Sequence, residues 1–300
     1  MSVETSILIP TYNNGKYLLE CIGSILRQEY TNYEIIIIDD HSLDNTFDLL
    51  THLSKIDSRI KYYKNKKNSK GIASALNYGI TLCKGDYIAR MDADDLMIGN
   101  RLTEQISYLK NNQEIGAVCS GMQLINQDDL FIRKSIGNSN MMINKLMLLF
   151  INVFFHPTMT IRKEIYLSYK YKKSYVYSED YELWTRIIQK HNITSLPFIH
   201  ISYKVDGSRK TSKEYYDNYS QSIITILSNQ LDFYKISHTE RELLMHYSIY
   251  FRNEKIGSKE EMNIWINKIF SAKKIVKIFD TKTINEVRDQ ILYKIKEKYL

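Results

Sequence analysis

Proline, glycine and cysteine are all scarce in this chain of 300 residues. Three prolines and 11 glycines leave little room for long irregular linkers, so most of the chain belongs in regular elements. There is no Ser/Gly-rich stretch and no internal repeat, which excludes tethered modules and solenoids. Cys21, Cys83 and Cys119 are odd in number, widely spaced and never in a C-x-x-C pair. That argues against a disulfide framework or a zinc site and fits a reducing, cytosolic compartment. Long hydrophobic runs are missing too. The most apolar stretch, Leu146–Phe155, is interrupted by Asn152 and is about half the length a bilayer span needs. No basic segment followed by an apolar core of secretory length opens the sequence. A soluble or peripheral cytoplasmic protein is expected.

Hydrophobic residues make up 44% and charged residues 25%, which excludes a disordered chain. The length suits one large α/β domain with an appendage, or two modest domains. The net charge of +7 is uneven, because residues 271–300 carry eight Lys/Arg against four acids. No aromatic-basic RNA motif, zinc finger or helix-turn-helix accompanies it, so nucleic acid is not the expected partner. Lysines there flank Ile275, Val276, Phe279, Ile291 and Ile295. Such helices suit an anionic inner-membrane surface as well as a packed helix with a solvated basic face.

The first hundred residues alternate strand and helix patterns. Ser6–Pro10 and Glu34–Ile38 are apolar runs, the second with no polar break, as in a strand buried on both faces. Ile60–Tyr63, Tyr87–Met91 and Gly116–Ser120 continue the strand series. Between them Tyr17, Leu18, Cys21, Ile22, Ile25 and Leu26 repeat at helical spacing. Ser42 is placed to cap a helix with Phe47, Leu50 and Leu53 on its inner face, and Ile72–Leu82 is a further helix. Strands separated by helices imply right-handed crossovers and a mainly parallel sheet. From about Ser212 the pattern is helical, with Ile284, Val287, Ile291, Leu292, Ile295 and Tyr299 in one stripe. The expected division is an α/β catalytic domain over 1–210 and a basic helical region over 211–300.

Open parallel sheets bind ligands at the carboxyl ends of their strands. Thr11 and Tyr12 follow the first strand, Asp39 and Asp40 the second, and Asp92, Asp94 and Asp95 the fourth. Three carboxylates within four residues repel one another unless a cation is present, and carboxylate oxygens suit Mg²⁺ or Mn²⁺ shared with substrate phosphates. A solvated acidic loop has the same composition, but the strand before this one delivers it to the ligand rim. Asp39 is placed to accept a hydrogen bond from a base or ribose, and Asp40 and Ser42 also suit a helix N-terminus. Tyr12 offers a face on which a base stacks. Glu179 and Asp180 open a helical run through Leu183 and Trp184, where a carboxylate either complements the helix dipole or acts as a general base.

Pro10-Thr11-Tyr12-Asn13, Ile38-Asp39-Asp40-His41-Ser42, the run Gly85–Asp95, Arg101-Leu102 and Ser178-Glu179-Asp180 together resemble family 2 glycosyltransferases. The resemblance covers about residues 4–212 and is strongest to bacterial enzymes that build O-antigen, capsule or lipopolysaccharide. It implies a GT-A fold, a UDP-sugar donor, Mn²⁺ or Mg²⁺, and inversion at the anomeric carbon. It also implies a hexose (galactose, glucose or an N-acetylhexosamine) passed to a saccharide or an undecaprenyl-diphosphate-linked saccharide. On that basis Pro10, Thr11 and Tyr12 lie at the donor, with Tyr12 on uracil and Asp39 on its imide nitrogen. Asp92 faces the ribose or the sugar, Asp94 ligates the metal, and Asp180 is the catalytic base. Glu179, His156 and Trp184 fall on the acceptor side. One departure stands out: where relatives carry Tyr-Arg-x-His, this chain has Tyr203-Lys204-Val205-Asp206. Two other functions share part of the pattern. A nucleotidyltransferase needs a Gly-rich basic phosphate loop, of which Asn13-Asn14-Gly15-Lys16 is a poor version. A non-catalytic sugar-nucleotide sensor has no use for Asp180.

Overall fold

The computed structural model describes residues 3–66, 71–205, 212–251 and 255–299. Asp206 lies outside them. The chain divides into two compact units. The first, an α/β unit, is Met1–Ser139, Phe154–Lys173 and Arg186–Arg209. The second, a helical unit, is Asn140–Val153, Ser174–Thr185 and Lys210–Leu300.

The α/β unit is built on nine strands among the described residues: β1 (Thr5–Thr11), β2 (Tyr33–Asp39), β3 (Ile60–Lys64), β4 (Tyr87–Arg90), β5 (Leu96–Met97), β6 (Ile115–Ile125), β7 (Phe131–Ser135), β8 (Thr160–Arg162) and β9 (Asn192–Lys204). They run in the order β3-β2-β1-β4-β8-β6-β9-β5, with β7 on the side of β6. The β3-β2-β1-β4 half is parallel throughout, as the alternating pattern predicts. The other half is mixed: β8 runs antiparallel to β4 and β6, β5 to β9 and β7 to β6, while β6 and β9 are parallel. Every residue of β1 and β2 is buried. That requires cover on both faces, which α1 (Gly15–Leu26), α2 (Thr46–Ile56) and α3 (Ile72–Leu82) help to supply. Helix α3 sits close against the sheet at Gly79, where an added Cβ would come within 2.3 Å of Leu8. The chain steps outward from β1 to β3 and returns beside β1 as β4. The sheet's switch point therefore lies at the carboxyl ends of β1 and β4. Helices α4 (Arg101–Asn111) and α6 (Lys163–Ser168) complete the described helices wholly within this unit.

One buried charge in the sheet is fully served. Glu34 accepts from Ser6 Oγ at 2.8 Å, from the Lys84 N–H at 2.6 Å and from Lys61 Nζ at 2.8 Å. Burial works to raise its pKa, but the three donors outweigh it and the carboxyl ends below its usual 4.5. A folded-state pKa below the unfolded value means this contribution is present above about pH 4.5 and lost as pH falls through the folded value. Glu34→Gln is therefore expected to lower the melting temperature at neutral pH and to cost much less near about pH 3. Equal losses at both pH values, in thermal melts, would contradict this.

The helical unit contains α5 (Met141–Met147), α8 (Lys213–Phe233), α9 (Glu240–Phe251), α10 (Lys259–Phe270), α11 (Lys273–Ile278) and α12 (Thr281–Tyr299), together with most of α7 (Glu179–Ile187). Polar side chains tie its separate segments together. Tyr181 Oη donates to the Leu148 carbonyl at 2.8 Å, and His246 Nε2 meets the Leu149 carbonyl at 2.8 Å. One sequence expectation is corrected here. Ser42 does not cap α2: the helix starts at Thr46 and Ser42 Oγ accepts the Asn13 N–H instead. Of the lysine-flanked apolar residues near the end of the chain, Ile275, Phe279, Ile291 and Ile295 are buried in this unit's core together with Val287, whereas Val276 is exposed, and the outward face of these helices mixes lysines with Asp280, Glu286, Asp289 and Glu297. Among the described residues no helix is long and apolar enough to cross a membrane.

Candidate active site

The loops after β1 and β2 are held to each other residue by residue. Thr11 pairs with Asp39 in the parallel register, and the Asp40 N–H donates to the Thr11 carbonyl at 2.8 Å. Asn13, at φ +54°, accepts the Leu43 N–H on its side chain at 2.7 Å. The Gly15 N–H donates to Asp44 at 3.0 Å, and a Cβ at Gly15 would collide with Asn45. A carboxylate thus occupies the amide that a phosphate loop would leave open, which removes the support for a nucleotidyltransferase. This bracing presents Tyr12 outward, 52% exposed, while Pro10 and Thr11 stay buried beneath it.

Asp39 is buried at the end of β2. Its Oδ1 accepts the Ser42 N–H at 3.2 Å, and its Oδ2 is buried with no hydrogen-bond partner among the described residues. A buried acceptor left open at the ligand rim fits a ligand N–H. Asp40 is spent differently: it accepts from Asn65 and from the Gly71 N–H, both at 2.7 Å, and so fixes the approach to α3.

After β4 the three acids have three different fates. Asp92 is half-buried and gripped by Arg90, Nη1 to Oδ2 at 2.7 Å and Nη2 to Oδ1 at 2.5 Å. Arg90 is fully buried; burial works against its charge, but the charges of Asp92, Tyr171 and Asp95 with the hydrogen bonds to Asp92 together outweigh it, and the net shift favours the charged form. Asp94 is half-buried in the turn. Asp95 is fully buried, accepts the Lys204 N–H at 3.3 Å and leaves Oδ2 unpartnered. Burial first, then the charges of Asp92 and Asp94, push its carboxyl well above the usual range. The donors of this cluster are all hard oxygens, and one of them, Asp95 Oδ2, is buried without a partner among the described residues, which fits a divalent cation. Among the described residues no three acids, histidines or cysteines are grouped to hold a metal by themselves. A cation here would draw further ligands from a bound diphosphate.

Asp180 sits in the first turn of α7, half-buried, with Asn152 Nδ2 donating to its Oδ2 at 2.9 Å. Glu179 beside it is buried, and Trp184 is fully buried as a core side chain of the same helix. His156, in a short turn after the helical segment, shares a 2.8 Å hydrogen bond with Tyr171 Oη. Burial, then the charge of Arg90, push its pKa well below 6.5, so it is neutral at pH 7. The structure thus gathers Tyr12, Asp39, Asp92, Asp94 and His156 in the α/β unit, and Glu179, Asp180 and Trp184 in the helical unit.

Two contributors were missed in the sequence. Arg90 was read only as part of a strand, although a lone Arg in a run as apolar as Ile88–Met91 signals a buried partner. Asn152 was noted only as the break in an apolar stretch, and that break marks the residue that holds Asp180.

Comparison with known proteins places the chain in a family. The profile of "Glycosyl transferase family 2" matches residues 6–169. The chain belongs to this family. It is 33% identical over 233 residues to the O-antigen biosynthesis glycosyltransferase WbnJ of Escherichia coli, covering 75% of this chain and 89% of the relative. It is also 33% identical over 213 residues to the UDP-Glc:alpha-D-GlcNAc-diphosphoundecaprenol beta-1,3-glucosyltransferase WfgD of Escherichia coli, covering 70% of this chain and 80% of that one. Among solved structures, the mannosyltransferase PcManGT of Pyrobaculum calidifontis, in complex with GDP-Man and Mn²⁺, superposes with a TM-score of 0.59 at 12% identity. That match covers 100% of this chain and 87% of that one. The fold of this family 2 glycosyltransferase is thus GT-A-like, and its activity is transfer of a sugar from a nucleotide-sugar donor to an acceptor in cell-surface polysaccharide synthesis.

Proposed function

We propose that this enzyme is an inverting, metal-dependent hexosyltransferase that uses a UDP-sugar and a saccharide or undecaprenyl-diphosphate-linked saccharide acceptor. The observation that carries the reading is the carboxylate turn after β4, at the sheet's switch point, with Asp92 clamped by Arg90 and Asp95 left partly unserved. The exposed ring of Tyr12 stacks on the uracil, and Asp39 Oδ2 accepts the N–H of the imide. Asp92, fixed by Arg90, faces the ribose or the sugar. Asp94 would hold Mn²⁺ or Mg²⁺, which when bound would supply positive charge to offset that growing on the leaving diphosphate.

Asp180 takes the proton of the acceptor hydroxyl as its oxygen bonds to the anomeric carbon and the bond to UDP breaks. Asn152 holds that carboxylate in one orientation. No thiol takes part: Cys21, Cys83 and Cys119 are all buried, and burial pushes each thiol up, Cys83 to about 12 and Cys119 to about 11. WfgD, named for a UDP-sugar donor and a lipid-diphosphate acceptor, supports the choice of both substrates. Such an acceptor would place the reaction at the cytoplasmic face of the membrane, with the net positive charge of residues 271–300 as a means of attachment.

The test is a panel of UDP-sugars with synthetic diphospholipid-linked acceptors, read by UDP release and product mass. Asp39→Ala is expected to weaken UDP binding by about tenfold or more in calorimetry, because the buried acceptor is lost. Transfer from none of the UDP-sugars, or unchanged UDP affinity in Asp39→Ala, would refute this assignment of the donor site.

A further inference from the structure

Within the helical unit, α8 and α9 line an open cavity of about 560 Å³. Its walls are Tyr215, Tyr216, Tyr219, Asp217, Tyr247 and Phe251. The rings are arranged as a ladder. Tyr215 and Tyr219 are one helical turn apart and stack at 5.8 Å with an interplanar angle of 8°, and Tyr247 and Phe251 do the same at 5.6 Å and 9°. An edge contact of 6.2 Å between Tyr219 and Phe251 joins the two pairs.

The ladder continues toward the catalytic helix. Tyr177, two residues before α7, packs its ring 4.5 Å from that of Tyr215. It does so from a backbone φ of +63°, a conformation that bulky side chains rarely adopt. Strain of this kind persists where the surroundings impose it, and it clusters at ligand sites. At its inner end the ladder feels the catalytic acids. Burial first, then neighbouring charge, raises the hydroxyl pKa of Tyr215 and Tyr219, with Glu179 among the charges at the first and Asp180 at the second.

The chemistry of the walls selects the occupant. Four of the five rings are tyrosines, so each apolar face carries a hydroxyl at its edge, and Asp217 and Ser220 add further polar groups. Pyranose rings have this same combination, an apolar C–H face with hydroxyls around the rim. Ile224 and Leu244 also line the cavity, but an isoprenoid tail would bury the tyrosine hydroxyls and Asp217 against hydrocarbon. A phosphate group would meet Asp217, and among the described residues no cation lines the cavity. A neutral sugar chain avoids both costs.

We propose that this cavity is a saccharide subsite, which holds sugar rings of the acceptor beyond the one that receives the new residue. The proposal rests on the glycosyltransferase reading and deepens it: this enzyme selects oligosaccharide acceptors over single sugars, and the ladder makes the selection.

A printed array of bacterial cell-surface oligosaccharides and their component monosaccharides tests this, with UDP present. Wild type is expected to retain oligosaccharides in preference to monosaccharides. Tyr215→Ala with Tyr219→Ala should weaken retention by about tenfold or more, while Tyr215→Phe with Tyr219→Phe, which keeps both rings, should retain most of it. Tyr216→Ala is a second probe that spares the core, since that side chain is 55% exposed, and a loss of a few fold is expected. The proposal is overturned if wild type retains no oligosaccharide, or if the alanine variants bind like wild type. Vesicles containing undecaprenyl phosphate form the last arm. Their retention in a manner that depends on these tyrosines would assign the cavity to lipid and overturn the sugar assignment. UDP binding by calorimetry separates the two levels: wild type that retains oligosaccharides but not UDP would count against the donor site alone.

Discussion

Asp180→Asn is expected to slow the chemical step by about 10²–10⁴-fold and to leave UDP affinity unchanged. Asparagine keeps the shape of the side chain and its contact with Asn152, but it has no basicity. The position suits a base for two reasons. Asp180 lies in the first turn of α7, at the positive end of the helix dipole. Asn152 donates to one oxygen at 2.9 Å, which fixes the orientation of the carboxylate. Glu179 projects roughly 100° away around the helix and is buried, so Glu179→Gln is expected to cost far less in turnover. Single-turnover rates for both variants, with UDP calorimetry as the control, measure the difference. Near wild-type turnover in Asp180→Asn would transfer the role to Glu179.

The second large effect concerns Asp94. Its replacement by alanine is expected to lower turnover by at least about 10³-fold, since the diphosphate loses its counter-charge as the glycosidic bond breaks. The carboxylate turn was built around negative charge: Arg90 is committed to Asp92, and Asp95 is buried and pushed up by its neighbours. A thermal melt of the variant, set beside its turnover, separates a ligand's role from a structural one: loss of a ligand lowers turnover far more than stability. EDTA should silence the wild type, and Mn²⁺ or Mg²⁺ should restore it. Full activity in EDTA, or a turnover in Asp94→Ala within a few fold of wild type, would remove the metal from the mechanism.

Much of this site was legible because it is a property of strand ends. A run such as Glu34–Ile38 announces a strand buried on both faces, and whatever follows it must lie on the rim of the sheet. The acids after β2 and β4 could therefore be placed before any contact was known. The same reasoning failed for Ser42. Its type and spacing suit a helix cap, but a cap depends on where the helix starts, and the bracing between the loops after β1 and β2 moved that start to Thr46. The lysine-flanked apolar residues of 271–300 illustrate the same limit. Periodicity reveals a stripe that must be covered without naming the cover, and the structure covers it with the core of the helical unit.

The sequence by itself determined the α/β character, the alternating elements of the first hundred residues, the rim position of Tyr12, Asp39 and the carboxylate turn, and the helical nature of the C-terminal third. These follow from periods of two and 3.6 residues and from the residues that end them, all local properties. The tertiary structure alone decided three things. Arg90 turns its side chain back onto Asp92; Asn152 reaches Asp180 across 28 residues of chain; and the segments 140–153 and 174–185 join 210–300 in one compact unit. Each is a pairing between groups whose chain separation or side-chain direction leaves no periodic trace. Such pairings are fixed by which buried polar atoms must find partners once the core has formed.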